Sequence, residues 1–322
     1  VTLTKNGVGT VALGSANTYT GITTINAGIL RAGSTTAFGP AASASLAFGP
    51  GSTGTVQLNG NSMTVIGLNT NAGSPGTAFV ENGAAGDATL TVNATASTFA
   101  GVLRDGAAGK LALTKAGGGT LTLSGANIFT GGVTLTAGTL NLDGTTALGA
   151  TAGAFTITGG TLDSTVANLV NANNNAMNWN GTFTFTGTQN LNLGTGAVTM
   201  NNNRQVIVNA NTLTVGGIIS GSGFGLTKAG AGTLALSGAN LYTGATTVNA
   251  GVLQANATET PGTSGPFGKS TAAGSIVFNG GTLQYSAANQ FDYSSRLTTA
   301  NNQPYSIDTN NQDVTFASAI LA

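Results

Sequence analysis

One block of sequence occurs three times in the chain, and this repetition constrains the fold more than any other feature. The copies begin LTKNGVGTVALGSANTYTG at Leu3, LTKAGGGTLTLSGANIFTG at Leu113 and LTKAGAGTLALSGANLYTG at Leu226, and each continues to an A-G-x-L ending. Self-similarity of this kind is the signature of a repeat architecture, in which each unit buries its apolar face against the next. We therefore expect one continuous array over residues 1–322, with long repeats at 1–112, 113–225 and 226–322.

A shorter period lies inside the long one. A Gly followed by a β-branched residue and then Leu recurs, for example at Gly119-Thr120-Leu121 and at Gly138-Thr139-Leu140, and period-two alternation follows each tripeptide. Short strands, Gly and Asn corners and units of roughly 20–30 residues are typical of solenoid coils. The sequence thus predicts an all-β parallel β-helix (β-solenoid) of about 14–15 coils, on the order of 70 Å long at the strand spacing of a sheet.

An antiparallel β-sandwich is the competing all-β fold. Asn59-Gly60 and Asn279-Gly280 have the composition of two-residue hairpin turns. A sandwich, however, gives no reason for a constant cassette to return at long, regular intervals, so the solenoid is the preferred prediction.

Composition excludes several functional classes. Only 6% of the 322 residues are charged, against roughly 25% in ordinary soluble domains, and the 9 Lys and Arg balance the 9 Asp and Glu. This balance offers no basic face for nucleic acid. The chain contains no Cys and no His, which excludes disulfides, thiolate metal sites and an imidazole base. Gly, Ser, Thr, Asn and Pro interrupt the uncharged stretches, so we expect no membrane insertion of this segment and no cofactor.

The cassette L-T-K-x-G-x-G-T-L-x-L-S-G-A-N-x-Y-T-G-x-T-x-[VIL]-x-A-G-x-L resembles the passenger-associated transport repeat, also called the autotransporter-associated β-strand repeat. The resemblance implies a right-handed parallel β-helix on the outer, extracellular surface of a Gram-negative-type bacterium. In that family the repeat is associated with transport across the outer membrane and with passenger folding, and it is not a catalytic motif.

Four positions recur in every cassette and define the repeat: a lysine (Lys5, Lys115, Lys228), an asparagine (Asn17, Asn127, Asn240), an aromatic residue (Tyr19, Phe129, Tyr242) and a glycine (Gly21, Gly131, Gly244). We interpret the lysines as corner residues that keep a Gly-rich turn soluble; the alternative is a binding ladder. The aromatic residues are expected to pack at the core corner beneath the Thr-Gly turn, rather than to form a sugar-binding stripe. The asparagine side chains are expected to bond the backbone at corners.

Some β-helices are carbohydrate-active enzymes, which need paired carboxylates or Asp-bound calcium beside a basic residue. The best candidates here are Asp292, Arg296, Asp308 and Asp313. We interpret them as loop charges in Asn-rich turns, and we predict no catalytic, cofactor or metal site. Trp179, in the Asn-rich run 171–180, is expected to pack in the core or at a corner, with a binding anchor as the alternative.

The sequence therefore predicts a non-enzymatic structural protein of the cell surface: a stalk, filament or sheath component. Residue 1 falls within the repeat pattern, and residues 316–322 align with 99–106, so we expect either a segment of a longer array or head-to-tail stacking of copies. The expected partner is then a second copy of the chain. The alternative is an adhesin or autotransporter passenger that binds surface or host glycans through its divergent cassettes.

Overall fold

The computed structural model describes residues 1–298 and 304–320, so the last two residues of the aligned stretch 316–322 lie outside it. The chain is an all-β parallel β-solenoid of about 14 turns, which confirms the predicted fold class. Apart from one 3-10 turn at Ser294–Arg296, the regular elements of the described residues are strands. The right-handed winding and the single continuous array stay predictions.

The fold divides into two compact units, residues 1–156 with 171–175 and residues 157–170 with 176–322. The strands that begin in unit 1 are β1 Leu3–Lys5, β2 Thr10–Leu13, β3 Thr23–Ile25, β4 Ile29–Ala32, β5 Ser45–Phe48, β6 Thr55–Gln57, β7 Met63–Val65, β8 Gly67–Thr70, β9 Phe79–Glu81, β10 Ala88–Val92, β11 Ala96–Phe99, β12 Val102–Arg104, β13 Leu111–Lys115, β14 Thr120–Leu123, β15 Val133–Leu135, β16 Thr139–Leu142 and β17 Phe155–Ile157.

The strands of unit 2 are β18 Thr161–Asp163, β19 Leu169–Val170, β20 Met177–Trp179, β21 Phe183–Phe185, β22 Leu191–Asn192, β23 Val198–Met200, β24 Arg204–Val208, β25 Thr212–Val215, β26 Ile219–Ser220, β27 Leu226–Ala229, β28 Thr233–Leu236, β29 Thr246–Val248, β30 Val252–Ala255, β31 Ile276–Phe278, β32 Thr282–Gln284 and β33 Ser306–Asp308.

Strands of successive coils stack in parallel rows. In unit 1 one sheet runs β2–β4–β6–β9–β12 and another β1–β3–β5–β8, while in unit 2 one row runs β19–β22–β25–β28–β30–β32–β33. Period-two alternation places one side chain of each strand inside, so that a column of fully buried aliphatic residues forms along β4, β6, β9 and β12. Its members are Leu30, Val56, Val80 and Leu103.

The sandwich alternative is wrong. Asn59 and Gly60 do form a tight turn, with positive φ values of 52° and 79° and a hydrogen bond from the Asn61 N–H to the Leu58 carbonyl. This turn is a corner of a coil, because β6 and β7 on its two sides belong to different sheets. Asn279-Gly280 likewise separates β31 from β32, which lie in different rows.

Candidate functional site

The three cassette lysines are buried, with side chains 0–4% exposed. The Lys115 Nζ donates hydrogen bonds to the carbonyls of Ala116 (2.6 Å) and Gly117 (2.9 Å), in the turn that follows its strand. Its third bond reaches the Ala137 carbonyl of the next coil (3.1 Å). An ammonium has three N–H donors, and all three are used here. Each cassette lysine therefore ties two successive corners together, and we call this arrangement the lysine clamp.

The other two cassettes repeat this clamp with the same spacing. The acceptor carbonyls are those of Asn6, Gly7 and Ala27 for Lys5, and those of Ala229, Gly230 and Ala250 for Lys228. The three lysines do serve corners, but the interpretation that they keep the Gly-rich turn soluble is wrong, and so is the binding ladder, because no donor of these ammonium groups points to solvent. The sequence pattern located the residue, but an isolated lysine gives no sign that backbone carbonyls will surround it.

Burial lowers the pKa of Lys115 and lowers that of Lys228 to about 8. Lys228 is therefore still mainly protonated at neutral pH, when all three of its N–H groups donate. The A-G of the cassette completes the clamp. Gly138 has φ +65°, and a Cβ there would collide with the carbonyl oxygens of Gly117 and Gly119 and lie 2.6 Å from the Lys115 Nζ. Only glycine fits at this position.

The cassette asparagines bridge neighbouring coils. The Asn127 Oδ1 accepts a hydrogen bond from the Leu103 N–H (2.9 Å) of the preceding coil, and its Nδ2 donates to the Ala147 carbonyl (2.9 Å) of the following one. The Asn240 side chain makes the same pair, with the Ile219 N–H and the Pro266 carbonyl, both at 2.8 Å. In the first cassette, the Asn17 Nδ2 donates to the Ala37 carbonyl at 2.7 Å.

The cassette aromatics pair with the residue four positions later. The Tyr19 hydroxyl lies 2.7 Å from the Thr23 Oγ1, and the Tyr242 hydroxyl lies 2.7 Å from the Thr246 Oγ1. In the second cassette Phe129 has no hydroxyl, and position 133 is correspondingly Val. Phe129 and Tyr242 are fully buried, whereas Tyr19 is partly exposed. The two buried rings are not available to stack on a sugar.

The cassette glycines after the Thr allow close backbone contact. The N–H groups of Gly21, Gly131 and Gly244 donate to the carbonyls of Val1, Leu111 and Phe224 at 2.9–3.1 Å. A Cβ on Gly131 would collide with the Leu111 carbonyl, so a side chain there would force the two backbones apart.

The charged residues considered for catalysis do not form one site. Arg296 is buried and pairs with Glu259, the Nη1 lying 2.9 Å from the Oε1, and its Nη2 donates to the Phe267 carbonyl. Asp308 instead accepts from the Gln284 side chain, while Asp292 accepts from the backbone N–H groups of Ser294 and Ala317. Asp313 is exposed. Within residues 1–298 and 304–320, no group of three or more Asp and Glu could hold a metal ion.

Trp179 is fully buried, and its ring meets Phe183 edge-on with centroids 5.3 Å apart. It is a core residue, and the binding-anchor alternative is wrong. In the Asn-rich run before it, the Asn175 Nδ2 donates to the carbonyls of Ala150 and Gly153 at 2.8 Å.

A ladder of polar side chains crosses four strands of unit 1. Arg31, Gln57, Glu81 and Arg104 occupy matching register positions on β4, β6, β9 and β12. The Arg31 Nε donates to the Gln57 Oε1 (2.7 Å), and the Gln57 Nε2 donates to the Glu81 Oε1 (2.6 Å). The Arg104 Nε donates to the Glu81 Oε2 (2.6 Å). We call this set the arginine ladder.

An open groove of about 590 Å³ borders the end of the ladder. Its lining includes Glu81, Arg104, Asp105 and Ile128, and Ile128 is 59% exposed. The guanidinium carbon of Arg104 lies 3.8 Å from the centroid of the Phe79 ring, so the side chain is held by stacking as well as by its ion pair.

The sequence analysis missed the arginine ladder, although a signal was present. Each member directly follows an inward aliphatic residue of the core column, in Leu30-Arg31, Val56-Gln57, Val80-Glu81 and Leu103-Arg104. Aligning the first cassette and the coils that follow it on that column would have brought the four polar residues together.

Unit 2 carries a second shallow groove, of about 300 Å³, without charged residues. It is lined by Asn168, Leu169, Val170, Asn190, Leu191, Asn192, Thr212 and Thr214. The Asn190 Nδ2 donates to the Asn168 Oδ1 (2.9 Å), and the Asn190 Oδ1 accepts from the Thr212 N–H (2.9 Å). These amides are partly occupied with one another, and Val170 is 45% exposed beside them.

Comparison with known proteins agrees with the geometry. The Passenger-associated-transport-repeat family matches residues 3–32, 113–142 and 226–255, which contain the three lysine clamps. The adhesin BmaC autotransporter of Brucella suis biovar 1 (strain 1330) is 36% identical over 249 residues. That match covers 77% of this chain but 7% of the relative. No solved structure matches the chain.

The described residues include no helix of sufficient length and apolarity to span a membrane. Three clamped cassettes in a parallel solenoid, the family match at those same residues and the autotransporter relative confirm the resemblance. The chain carries three passenger-associated transport repeats and is similar, over most of its length, to part of an autotransporter adhesin.

Proposed function

We propose that this chain is a surface-displayed, non-enzymatic passenger segment that works as an adhesin scaffold. In this proposal the cassettes build the solenoid, and the divergent coils between them present the side chains that contact a partner on the outside of a Gram-negative-type bacterium. The adhesin relative supports this proposal, although the chain spans only 7% of its length.

The observation that carries the proposal is where the polar groups of the cassettes point. Lys115 and Lys228 donate their hydrogen bonds to backbone carbonyls, and the side chains of Asn127 and Asn240 donate theirs to neighbouring coils. These groups stabilise the coil and are not offered to a ligand. The Asn168 groove and three members of the arginine ladder, Gln57, Glu81 and Arg104, lie in the divergent coils, whereas Arg31 lies at the end of the first matched repeat.

The test is adhesion of beads coated with the purified chain to a glycan array and to epithelial cell layers. Val170→Asp and Thr214→Asp alter the unit 2 groove, and Arg104→Ala alters the unit 1 groove. Ser124→Asp is the matched control on an exposed cassette position. We expect at least one groove variant to reduce adhesion several-fold and the control to leave it unchanged. Wild-type beads that adhere no better than uncoated beads would contradict the proposal.

Self-association is the second candidate, and the low charge favours it. With 9 cationic and 9 anionic side chains in 322 residues, little net repulsion opposes packing of copies against one another. Electron microscopy of the purified chain at neutral pH tests this candidate. Filaments would support a stalk or sheath role, whereas isolated particles at high concentration would exclude it for this segment.

A further inference from the structure

We propose that the arginine ladder of unit 1 is a binding site for an anionic polysaccharide, whose acid groups pair with the outer nitrogens of Arg104 and Arg31. This inference rests on the proposed adhesin function and gives it a ligand class. It begins from the charge distribution. Only 6% of the residues are charged, yet two arginines and a glutamate share one register position of neighbouring strands.

The Arg104 guanidinium is positioned but not saturated. Its Nε is fixed by the Glu81 Oε2 and its plane by the Phe79 ring. Within the described residues, neither its Nη1 nor its Nη2 hydrogen-bonds to the protein, and the side chain is 33% exposed. A planar guanidinium whose two outer NH2 groups are both free can pair with two oxygens of a carboxylate or sulfate. Because stacking and the ion pair already restrict the side chain, little rotamer freedom is lost on binding.

Arg31 supplies a second point of the same chemistry. Its Nε donates to Gln57, and its outer nitrogens likewise make no hydrogen bond to the described residues. Three strand spacings separate Arg31 from Arg104, which is roughly 14 Å at about 4.8 Å per strand. Two anchors at that separation suit a chain of acidic sugars that runs along the stack of coils better than a single small anion.

The two acidic residues at the site are already engaged by other groups of the protein. Both Glu81 carboxylate oxygens are occupied, by Gln57 and by Arg104, and the side chain is only 8% exposed. Asp105 accepts hydrogen bonds from the N–H groups of Leu111 and Thr130 and from the Thr130 hydroxyl. The four ladder residues carry one net positive charge, from two arginines against Glu81, and the Asp105 carboxylate at the groove balances that charge. An anion is therefore attracted by the outer guanidinium nitrogens of the arginines and not by a net positive charge of the groove. The exposed Ile128 at the groove supplies an apolar surface for the carbon face of a sugar ring.

The experiment measures binding of the purified chain to four immobilised polymers: alginate (carboxylated), dextran sulfate (sulfated), neutral dextran and poly-L-glutamate. We expect binding to alginate, to dextran sulfate or to both, with the stronger of the two identifying the acid group. Arg104→Ala should weaken it about ten-fold or more, and Arg104→Lys several-fold, because lysine cannot pair in a bidentate manner. Circular dichroism and thermal melting confirm that the variants fold.

Lys269→Ala is the control, since it removes one positive charge elsewhere in the chain. Equal losses for Lys269→Ala and Arg104→Ala would show non-specific charge attraction and overturn the site. Equal binding to neutral dextran, equal binding to poly-L-glutamate, or no binding to either acidic polysaccharide would also overturn it. If cell adhesion persists while the acidic polysaccharides fail to bind, the adhesin proposal stands and only this site is lost.

Discussion

Strand β12 at Leu103 in unit 1 and strand β26 at Ile219 in unit 2 are held by the same backbone contacts but present different side chains at the surface. The Leu103 N–H donates a hydrogen bond to the side chain of the cassette asparagine Asn127, and the Ile219 N–H donates one to Asn240. The residue after each asparagine is an exposed aliphatic, Ile128 or Leu241. The following strand residue, however, is Arg104 in unit 1 and Ser220 in unit 2.

The strand neighbours differ in the same way. Arg104 pairs in register with Glu81, whereas Ser220 pairs with Thr199, and the Ser220 hydroxyl donates to the Val198 carbonyl. The surface at β12 therefore carries a charged pair, and the surface at β26 carries small neutral side chains. The comparison shows that the cassette asparagine fixes the backbone position of the strand in the preceding coil. The sequence of that preceding coil determines whether the exposed side chain is charged or neutral.

Loss of a lysine clamp should have the largest effect, and an equal one in both units. Lys115→Met and Lys228→Met each leave three carbonyls without their donor, which should cost about 3–5 kcal/mol of folding free energy. Urea unfolding and hydrogen exchange of the two following turns measure the loss. The exposed Lys110→Met is the control and should change stability by less than about 0.5 kcal/mol. Markedly different losses in the two cassettes would break the idea of a common frame.

Exchanging the aromatic pairs should have a smaller effect. Phe129→Tyr places a hydroxyl beside Val133 in a buried position, with an expected cost of about 1–3 kcal/mol. Adding Val133→Thr recreates the pair seen at Tyr242 and Thr246 and should recover most of that cost. Urea midpoints of the two single variants and the double variant give the coupling energy. No recovery in the double variant would mean that the two cassettes differ in more than this pair.

A graft of the unit 1 surface onto unit 2 should have the smallest effect on stability. Ser220→Arg with Thr199→Glu copies the Arg104–Glu81 pair onto β26 and β23, and it should change folding free energy by about 1 kcal/mol or less, as expected for a solvent-accessible ion pair. Binding to whichever acidic polysaccharide the wild-type chain prefers should increase over an Arg104→Ala background. The matched control is Ser220→Arg alone, which lacks the positioning carboxylate and should restore less. Equal gains would show that Glu81 does not position Arg104.

Sequence reasoning reached the solenoid because its evidence is periodic. Repeated cassettes and alternating apolar residues such as Leu121 and Leu123 survive as a pattern whatever their neighbours are. Sequence reasoning could not predict the lysine clamp, because the acceptors of Lys115 are backbone carbonyls and one of them lies in the next coil. Every residue has a backbone carbonyl, so the sequence does not indicate which ones accept these hydrogen bonds. The buried Glu259–Arg296 pair was missed for a related reason: its members meet only after the intervening corner has folded.

The lysine clamp also has a consequence for how the protein responds to force. It joins neighbouring coils as a cross-link would, but it contains no covalent bond and the chain contains no cysteine. A disulfide, once reduced, needs an oxidant to form again. A lysine that is pulled away from its three carbonyls needs only to return to them. A clamped pair of coils that is pulled apart can therefore close again without a reductant, an oxidant or an enzyme.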